Sequence, residues 1–136
     1  VECKYSELYT EYETAKKFLE VNGIEENSVV SLRGEFTPKT IGMMLAIVDT
    51  SCVYVPISTA VKDPARYNEI AEVQFYIDGD NVVKFETEPK HEILKNLIDN
   101  KNPGLVLFSS GTTGDPKAAV HNLHSYCLII SVVSIL

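Results

Sequence analysis

The sequence predicts an α/β fold in which a largely parallel sheet is flanked by helices, and three observations support this prediction. Helix-like and strand-like segments alternate along the 136 residues, and the links between them are short. The strand-like segments are short apolar runs of the kind that form buried strands. The composition, with 45% hydrophobic and 23% charged residues, is that of a globular protein with a core.

Four helices are predicted, and they cover residues 6–23, 37–49, 63–73 and 88–99. The first ends at Gly23, a residue suited to a helix C-terminus, and its apolar face contains Leu8, Tyr12, Ala15 and Leu19. The second begins with Thr37 as N-cap and Pro38 at the first helical position, and the third has a similar Asp-Pro start. The fourth carries an apolar stripe made of Ile93, Leu94, Leu97 and Ile98.

Five strands are predicted, and they cover residues 28–32, 52–57, 74–78, 82–86 and 105–108. We expect Pro56 to stop the second strand, and Cys52, Tyr54 and Tyr76 to be buried in the strands that carry them. Asp78 and Asp80 are interpreted as part of a tight turn over 79–81 that leads into a hairpin, although a calcium site is conceivable there.

Charge and cysteine content exclude several classes of protein. A net charge of −7 and a pI near 4.9 argue against a broad surface for nucleic acid or anionic lipid. The three cysteines are far apart and odd in number, so neither a disulfide framework nor a zinc knuckle is expected. No secretory signal is visible, and the apolar run over 126–136 is shorter than the roughly 20 residues that span a bilayer. We therefore expect a cytoplasmic protein with no transmembrane segment.

The segment "FSSGTTGDPKAAVH", residues 108–121, has the composition of an anion-binding loop. It follows the last predicted strand, so we expect it at the carboxyl edge of the sheet, where α/β folds bind ligands. Gly111 and Gly114 can adopt positive φ and let successive N–H groups converge on an anion. Lys117 adds a positive charge, and four hydroxyls that can bind phosphate or magnesium come from Ser109, Ser110, Thr112 and Thr113.

Two other interpretations of this segment were considered. A Walker A loop is disfavoured because Pro116 and Ala118 occupy the positions where that motif requires glycine and a hydroxyl residue. A surface turn with no ligand remains an alternative, since turns are often rich in these residues. His121 and His124 are three apart, as in some metal sites, but no third ligand is near, so a structural role is expected.

The segment closely resembles the phosphate-binding signature of the adenylate-forming superfamily, which includes acyl-CoA synthetases and nonribosomal-peptide adenylation domains. Residues 108–117 fit the signature position by position, and Ala118 departs from its usual glycine. Two weaker similarities lie upstream, at "KYSELY" over 4–9 and "VYVPI" over 53–57. Ser51 stands where the family usually has glycine.

The resemblance implies an ATP-dependent ligase that activates a carboxylic acid. In such enzymes the carboxylate attacks the α-phosphate of ATP to give an acyl-adenylate and pyrophosphate, and a thiol such as CoA then takes the acyl group. The loop would hold the β- and γ-phosphates through Thr112, Thr113 and the backbone of Gly111 and Gly114. Ser109 and Ser110 would support them, and Lys117 would neutralise charge. Thr112 and Thr113 are also the candidates to meet Mg²⁺ through the ATP phosphates.

The resemblance also implies that residues 1–136 are a partial N-terminal AMP-binding domain. The family's C-terminal domain with its catalytic lysine, a partner from the same enzyme, would be absent, so no catalytic residue is assigned and the chain alone is expected to be inactive. An acyl-CoA synthetase type is favoured. The alternatives are an adenylation module for nonribosomal peptides or siderophores, and a non-catalytic remnant that serves as an interaction module. We also expect exposed apolar surface near the C-terminus, with a tendency to self-associate.

Overall fold

The computed structural model describes residues 4–109 and 116–125. Four α-helices are present among them, and they span α1 (Tyr5–Val21), α2 (Pro38–Asp49), α3 (Pro64–Ile70) and α4 (Glu92–Asp99). The strands are β1 (Val29–Arg33), β2 (Val53–Ile57), β3 (Phe75–Asp78), β4 (Asn81–Lys84), β5 (Gly104–Ser109) and β6 (Lys117–Asn122). A short 3₁₀ turn, Leu123–Ser125, follows β6.

The strands form one sheet in the order β4-β3-β1-β2-β5-β6. The four central strands are parallel, whereas β4 and β6 are antiparallel to their neighbours at the two edges. The predicted α/β class with a largely parallel sheet is therefore confirmed. The carboxyl ends of β3, β1, β2 and β5 meet at one edge, which is the edge where such sheets bind ligands.

The helices cover both faces of the sheet and enclose two apolar cores. One core packs α1 and α2 against β1, β2 and β3, and the other packs α4 and the end of α3 against β1, β2 and β5. Helices α1 and α2 approach closely at Gly42, where an added Cβ would lie 2.7 Å from the Cβ of Glu11. The described helices and strands thus form three layers.

The predicted capping residues begin and end the helices as their chemistry suggests. The Thr37 hydroxyl accepts a hydrogen bond from the Thr40 N–H at 3.2 Å, and Pro38 occupies the first turn of α2. Gly23 adopts φ +69° just beyond α1, the left-handed conformation that ends many helices. The turn before β4 contains Gly79 at φ +63°, so the predicted hairpin is confirmed.

Three details of the predicted elements are wrong. Pro56 does not stop β2, because Ile57 still pairs with Arg33 of β1. The proline is tolerated because the pairing of β2 with β5 covers only Val53 and Tyr54, so no hydrogen bond to β5 is lost at Pro56. Ile93 is 52% exposed and is not part of the buried stripe of α4. Strand β6 was not among the strands predicted from the sequence.

Candidate functional site

The two ends of the glycine-rich segment lie directly opposite each other in the sheet. Ser109 is the last residue of β5, Lys117 is the first of β6, and the two are paired across the antiparallel ladder. The Ser109 hydroxyl donates to the carbonyl oxygen of Lys117 at 3.4 Å. Residues 110–116 therefore connect the two strands at the carboxyl edge of the sheet, where the sequence predicts the loop.

Most of the predicted binding residues lie in the part of the loop outside the described residues. These are Ser110, Gly111, Thr112, Thr113 and Gly114. Their roles, and the magnesium role of Thr112 and Thr113, remain predictions. The structure brings together the two flanking residues, Ser109 and Lys117.

A cavity of about 420 Å³ opens beside the base of this hairpin. It forms because β2 and β5 diverge: their pairing ends at Tyr54 and Leu105, and β5 continues four residues further, paired with β6 alone. Its lining is mainly apolar and comes from the ends of β1, β2 and β5 with α2 and α3, namely Gly34, Glu35, Phe36, Thr40, Tyr54, Pro56, Ile57, Ser58, Val61, Tyr67, Leu107, Phe108 and Ser109. The volume is within the range of small-molecule sites.

Polar contacts hold together the two loops at the cavity rim. The Glu35 carboxylate accepts hydrogen bonds from the backbone N–H of Thr59, at 3.3 Å, and from the Thr59 hydroxyl. The Arg33 guanidinium donates to the carbonyl oxygens of Thr59 and Val61, at 3.2 and 3.0 Å, and lies 3.8 Å from the Asp78 carboxylate. The loop after β2 is thus fixed to the end of β1.

Tyr54 is a buried residue that lines the cavity. The residue is 5% exposed, and its hydroxyl makes no hydrogen bond with any described residue. Burial raises the pKa of this phenol to about 12, because the charged form would lose its hydration. Tyr54 therefore stays neutral at physiological pH.

The two described loop residues have the chemistry to bind an anion. Lys117 is exposed, and its ammonium group forms no ion pair within residues 4–109 and 116–125. Ser109 places its hydroxyl in the same pair, and this hydroxyl can donate to an anion only by giving up its bond to the Lys117 carbonyl oxygen. An ammonium group, hydroxyls and loop N–H groups suit a polyphosphate better than a bare cation, so Mg²⁺ would be held mainly through phosphate oxygens.

The other candidate ligands lie elsewhere or have structural partners. His121 belongs to β6 and His124 to the 3₁₀ turn, so they do not share a helix face. Asp78 faces Arg33, and Asp80 of the hairpin turn lies 3.7 Å from Lys39 of α2. Within the described residues no three His, Cys, Asp or Glu side chains form a metal-binding group. Cys52 is fully buried, and burial raises the pKa of its thiol, which does not favour a nucleophile.

Sequence reasoning missed several residues that shape the site. Arg33, Glu35 and Thr59 connect the rim, and Tyr67 of α3 contacts Phe108 of β5. Charged residues directly after a predicted parallel strand, such as Arg33 and Glu35, were a usable signal, because such positions lie at the ligand-binding edge. Nothing in the local sequence indicated that Tyr67 would contact a strand 41 residues later in the chain.

Comparison with known proteins identifies this architecture. The chain is 25% identical over 120 residues to bacitracin synthase 1 of Bacillus licheniformis, covering 83% of this chain and 2% of that protein. It is 24% identical over 122 residues to 2-succinylbenzoate–CoA ligase of Haemophilus influenzae, covering 88% of this chain and 26% of that one. No protein-family model matches the chain.

The solved structure of the Klebsiella oxytoca NpsA N-terminal subdomain, in complex with 3-hydroxyanthranilyl-AMSN, has a similar fold. The TM-score is 0.64 at 21% identity, and the match covers 88% of this chain and 34% of that one. The fold is therefore that of the N-terminal subdomain of an adenylation enzyme. With the sequence matches, it confirms the resemblance to the adenylate-forming superfamily. The chain spans about a quarter or less of the two curated relatives described above.

No helix in the described parts of the chain has the length and apolar character needed to cross a membrane.

Proposed function

We propose that this chain supplies the phosphate-binding hairpin of an ATP-dependent ligase that activates carboxylic acids. The observation that carries the proposal is the pairing of Ser109 with Lys117, because it closes a glycine-rich loop at the carboxyl edge of a parallel sheet. Its resemblance to the superfamily signature over 108–117 supports the same function.

In the proposed reaction an oxygen of the acid carboxylate forms a bond to the α-phosphorus of ATP. The bond from that phosphorus to the bridging oxygen of the β-phosphate breaks, and pyrophosphate leaves. A thiol then attacks the acyl carbon, loses its proton, and AMP leaves. The hairpin would contribute by holding the β- and γ-phosphates in line for departure, which is positioning together with charge stabilisation. Mg²⁺ bound to the phosphates would neutralise further charge.

Different residues of the loop would contribute to phosphate binding in different ways. The Lys117 ammonium would approach the terminal phosphates as a point charge. Hydroxyls of Thr112 and Thr113, with the N–H groups near Gly111 and Gly114, would donate to phosphate oxygens. Ser109, whose hydroxyl donates to the Lys117 carbonyl, would keep the base of the loop closed. The mainly apolar cavity beside Ser109 would offer space next to the loop base for a small molecule.

Two more specific forms of this function differ in the thiol that accepts the acyl group. An acyl-CoA synthetase would transfer the acyl group to CoA, and the matched CoA ligase favours that version. An adenylation module would transfer it to a carrier-protein thiol, and the matched bacitracin synthase favours this second version equally. The acid itself would come from the surroundings as a small molecule in both cases.

A substitution in the loop tests the proposed role in nucleotide use. In a complete enzyme containing this chain, Thr113→Val should reduce ATP–pyrophosphate exchange about ten- to a hundredfold, because it removes one hydrogen bond to a charged phosphate. Thr10→Val, at an exposed position on α1, is the matched control and should leave exchange unchanged. Unchanged exchange in the Thr113 variant would remove that residue from the site.

The isolated chain provides a second test. We expect residues 1–136 alone to give no ATP–pyrophosphate exchange with any acid, because the family's catalytic lysine lies on another domain. Robust exchange by this chain would overturn the proposal that it is one part of a larger catalytic unit. The complete protein distinguishes the two alternatives: the ligase proposal expects ATP–pyrophosphate exchange there, whereas the remnant alternative expects none.

A further inference from the structure

Helix α3 contacts two strands, β1 and β5, and β5 is the strand that leads into the loop. Its Asn68 is 5% exposed, and the side-chain amide oxygen Oδ1 of Asn68 accepts a hydrogen bond from the fully buried Ser31 hydroxyl of β1 at 2.7 Å. The Arg33 guanidinium binds the Val61 carbonyl oxygen just before the helix begins. The start and the middle of α3 are therefore fixed to β1 by polar bonds.

From the neighbouring position, Tyr67 reaches β5. Its ring meets the ring of Phe108 edge to face, with the centroids 4.6 Å apart and the planes at 66°. Phe108 is the residue before Ser109, and it pairs with Ala118 of β6. No hydrogen bond joins the Tyr67 hydroxyl to another residue in the described part of the chain, so the contact is made by the ring.

The end of β5 needs such support because it has no second neighbour in the sheet. Its pairing with β2 stops at Leu105, and Leu107 on the opposite face is 44% exposed. Between Leu105 and Ser109 the strand is bonded only to β6. The aromatic contact with Tyr67 therefore adds direct packing between this free end of β5 and the fixed helix.

We propose that Tyr67 is a positioning residue for the phosphate-binding loop, acting through Phe108 to hold the Ser109–Lys117 base of the hairpin in one place. The proposal rests on the proposed function, because it assigns Tyr67 to the same loop. Tyr67 touches no phosphate in this account; it restricts where the loop can begin and so lowers the entropy lost on binding.

Two readouts on the 136-residue chain test the proposal. The first is amide hydrogen exchange in β5 and β6, and the second is the Kd for magnesium-ATP measured from NMR amide shifts. Tyr67→Leu should speed exchange at Phe108, Ser109 and Lys117 and weaken magnesium-ATP about three- to tenfold, the ratio expected from one aromatic pair. Tyr67→Phe keeps the ring and should match the parent protein in both readouts.

Controls separate this role from a general loss of stability. Tyr9→Leu removes a ring of another aromatic pair, with Tyr12 on α1 at 6.1 Å, and should change neither readout at the hairpin. Should Tyr67→Leu fail to fold, Tyr67→Met takes its place with the same expectations, because the flexible methionine side chain fills irregular gaps without supplying a ring. Parent-like exchange at Ser109 and Lys117 in a folded Leu or Met variant would overturn the proposal.

The two readouts also separate the two proposals. If the parent chain shows no magnesium-ATP binding, the proposed function of the loop loses its support. The exchange comparison still decides the positioning role, because hairpin exchange is measured without nucleotide. Faster exchange confined to the hairpin supports Tyr67 as the residue that holds it, and exchange that rises uniformly across the sheet contradicts that role.

Discussion

The buried hydrogen bond between Ser31 and Asn68 gives the sharpest test of how α3 is held. Ser31 is fully buried and Asn68 is 5% exposed, so neither side chain can replace its lost partner with bulk water. Asn68→Ala leaves the Ser31 hydroxyl unsatisfied and should lower the free energy of unfolding by about 1–3 kcal/mol. Ser31→Ala is closer to isosteric, and it should cost about 1–2 kcal/mol because the side-chain oxygen Oδ1 of Asn68 then lacks its donor.

A double-mutant cycle isolates the bond itself. Once either group is gone, removal of the other costs little, so the double variant should be less destabilised than the sum of the two single variants by about 1 kcal/mol or more. Urea denaturation followed by circular dichroism measures the three variants, with the m-value required to stay constant. Strictly additive losses, or single losses below about 0.5 kcal/mol, would refute the reasoning that this bond fixes α3.

Three further predictions concern other parts of the fold. Gly42→Ala should lower the free energy of unfolding, measured in urea, by about 1–2 kcal/mol, because the added Cβ would lie 2.8 Å from a backbone carbon of Glu11. This loss should outweigh the gain of about 1 kcal/mol that alanine normally brings to a helix. A gain in stability would contradict the close contact between α1 and α2. Tyr54→Phe should have the same free energy of unfolding as the parent protein at pH 7 and a value about 1 kcal/mol higher at pH 11. Identical urea denaturation curves for the two proteins at both pH values would disprove the raised pKa of the phenol. The exposed side chains of Phe36 and Leu107 should cause self-association, so the molar mass measured by light scattering should rise with protein concentration. Leu107→Thr should reduce this rise. A constant monomer mass for the parent protein would contradict the predicted self-association.

The sign of the Tyr54 effect follows from the direction of its pKa. The folded protein holds the phenol proton to about pH 12, whereas an unfolded chain releases it near 10. The stability contributed by burying the neutral phenol is therefore complete below pH 10 and is lost as the pH rises from 10 to 12. Phenylalanine has no proton to release, so the variant does not lose stability in this window.

The sequence contained enough local information to predict most of the core elements. Helix α2 was recognisable because Thr37 and Pro38 combine a cap with a favourable first residue, and both occupy those positions in the structure. The central strands β1 and β2 were recognisable as short apolar runs, since both of their faces are buried. The hairpin at Gly79 was recognisable from its turn residues.

What the sequence did not predict depends on contacts between distant parts of the chain. Strand β6 has small and polar residues, with exposed positions at its start, so its strand conformation comes from pairing with β5 and not from its own pattern. Pro56 remains inside β2 because β5 diverges there, which no local pattern reveals. The contact of Tyr67 with Phe108 likewise depends on the crossing of α3 over the sheet.

Magnesium-ATP titration of isotope-labelled protein tests the central claim most directly. The account predicts that the amide signals of residues 109–117 shift in a saturable way, and that tripolyphosphate competes for the same signals. Signals at the opposite end of β6, such as Asn122, should stay in place, because that residue pairs with Gly104 at the far edge of the sheet. Hairpin signals that do not move at millimolar nucleotide would contradict the claim that this loop binds the phosphates of ATP.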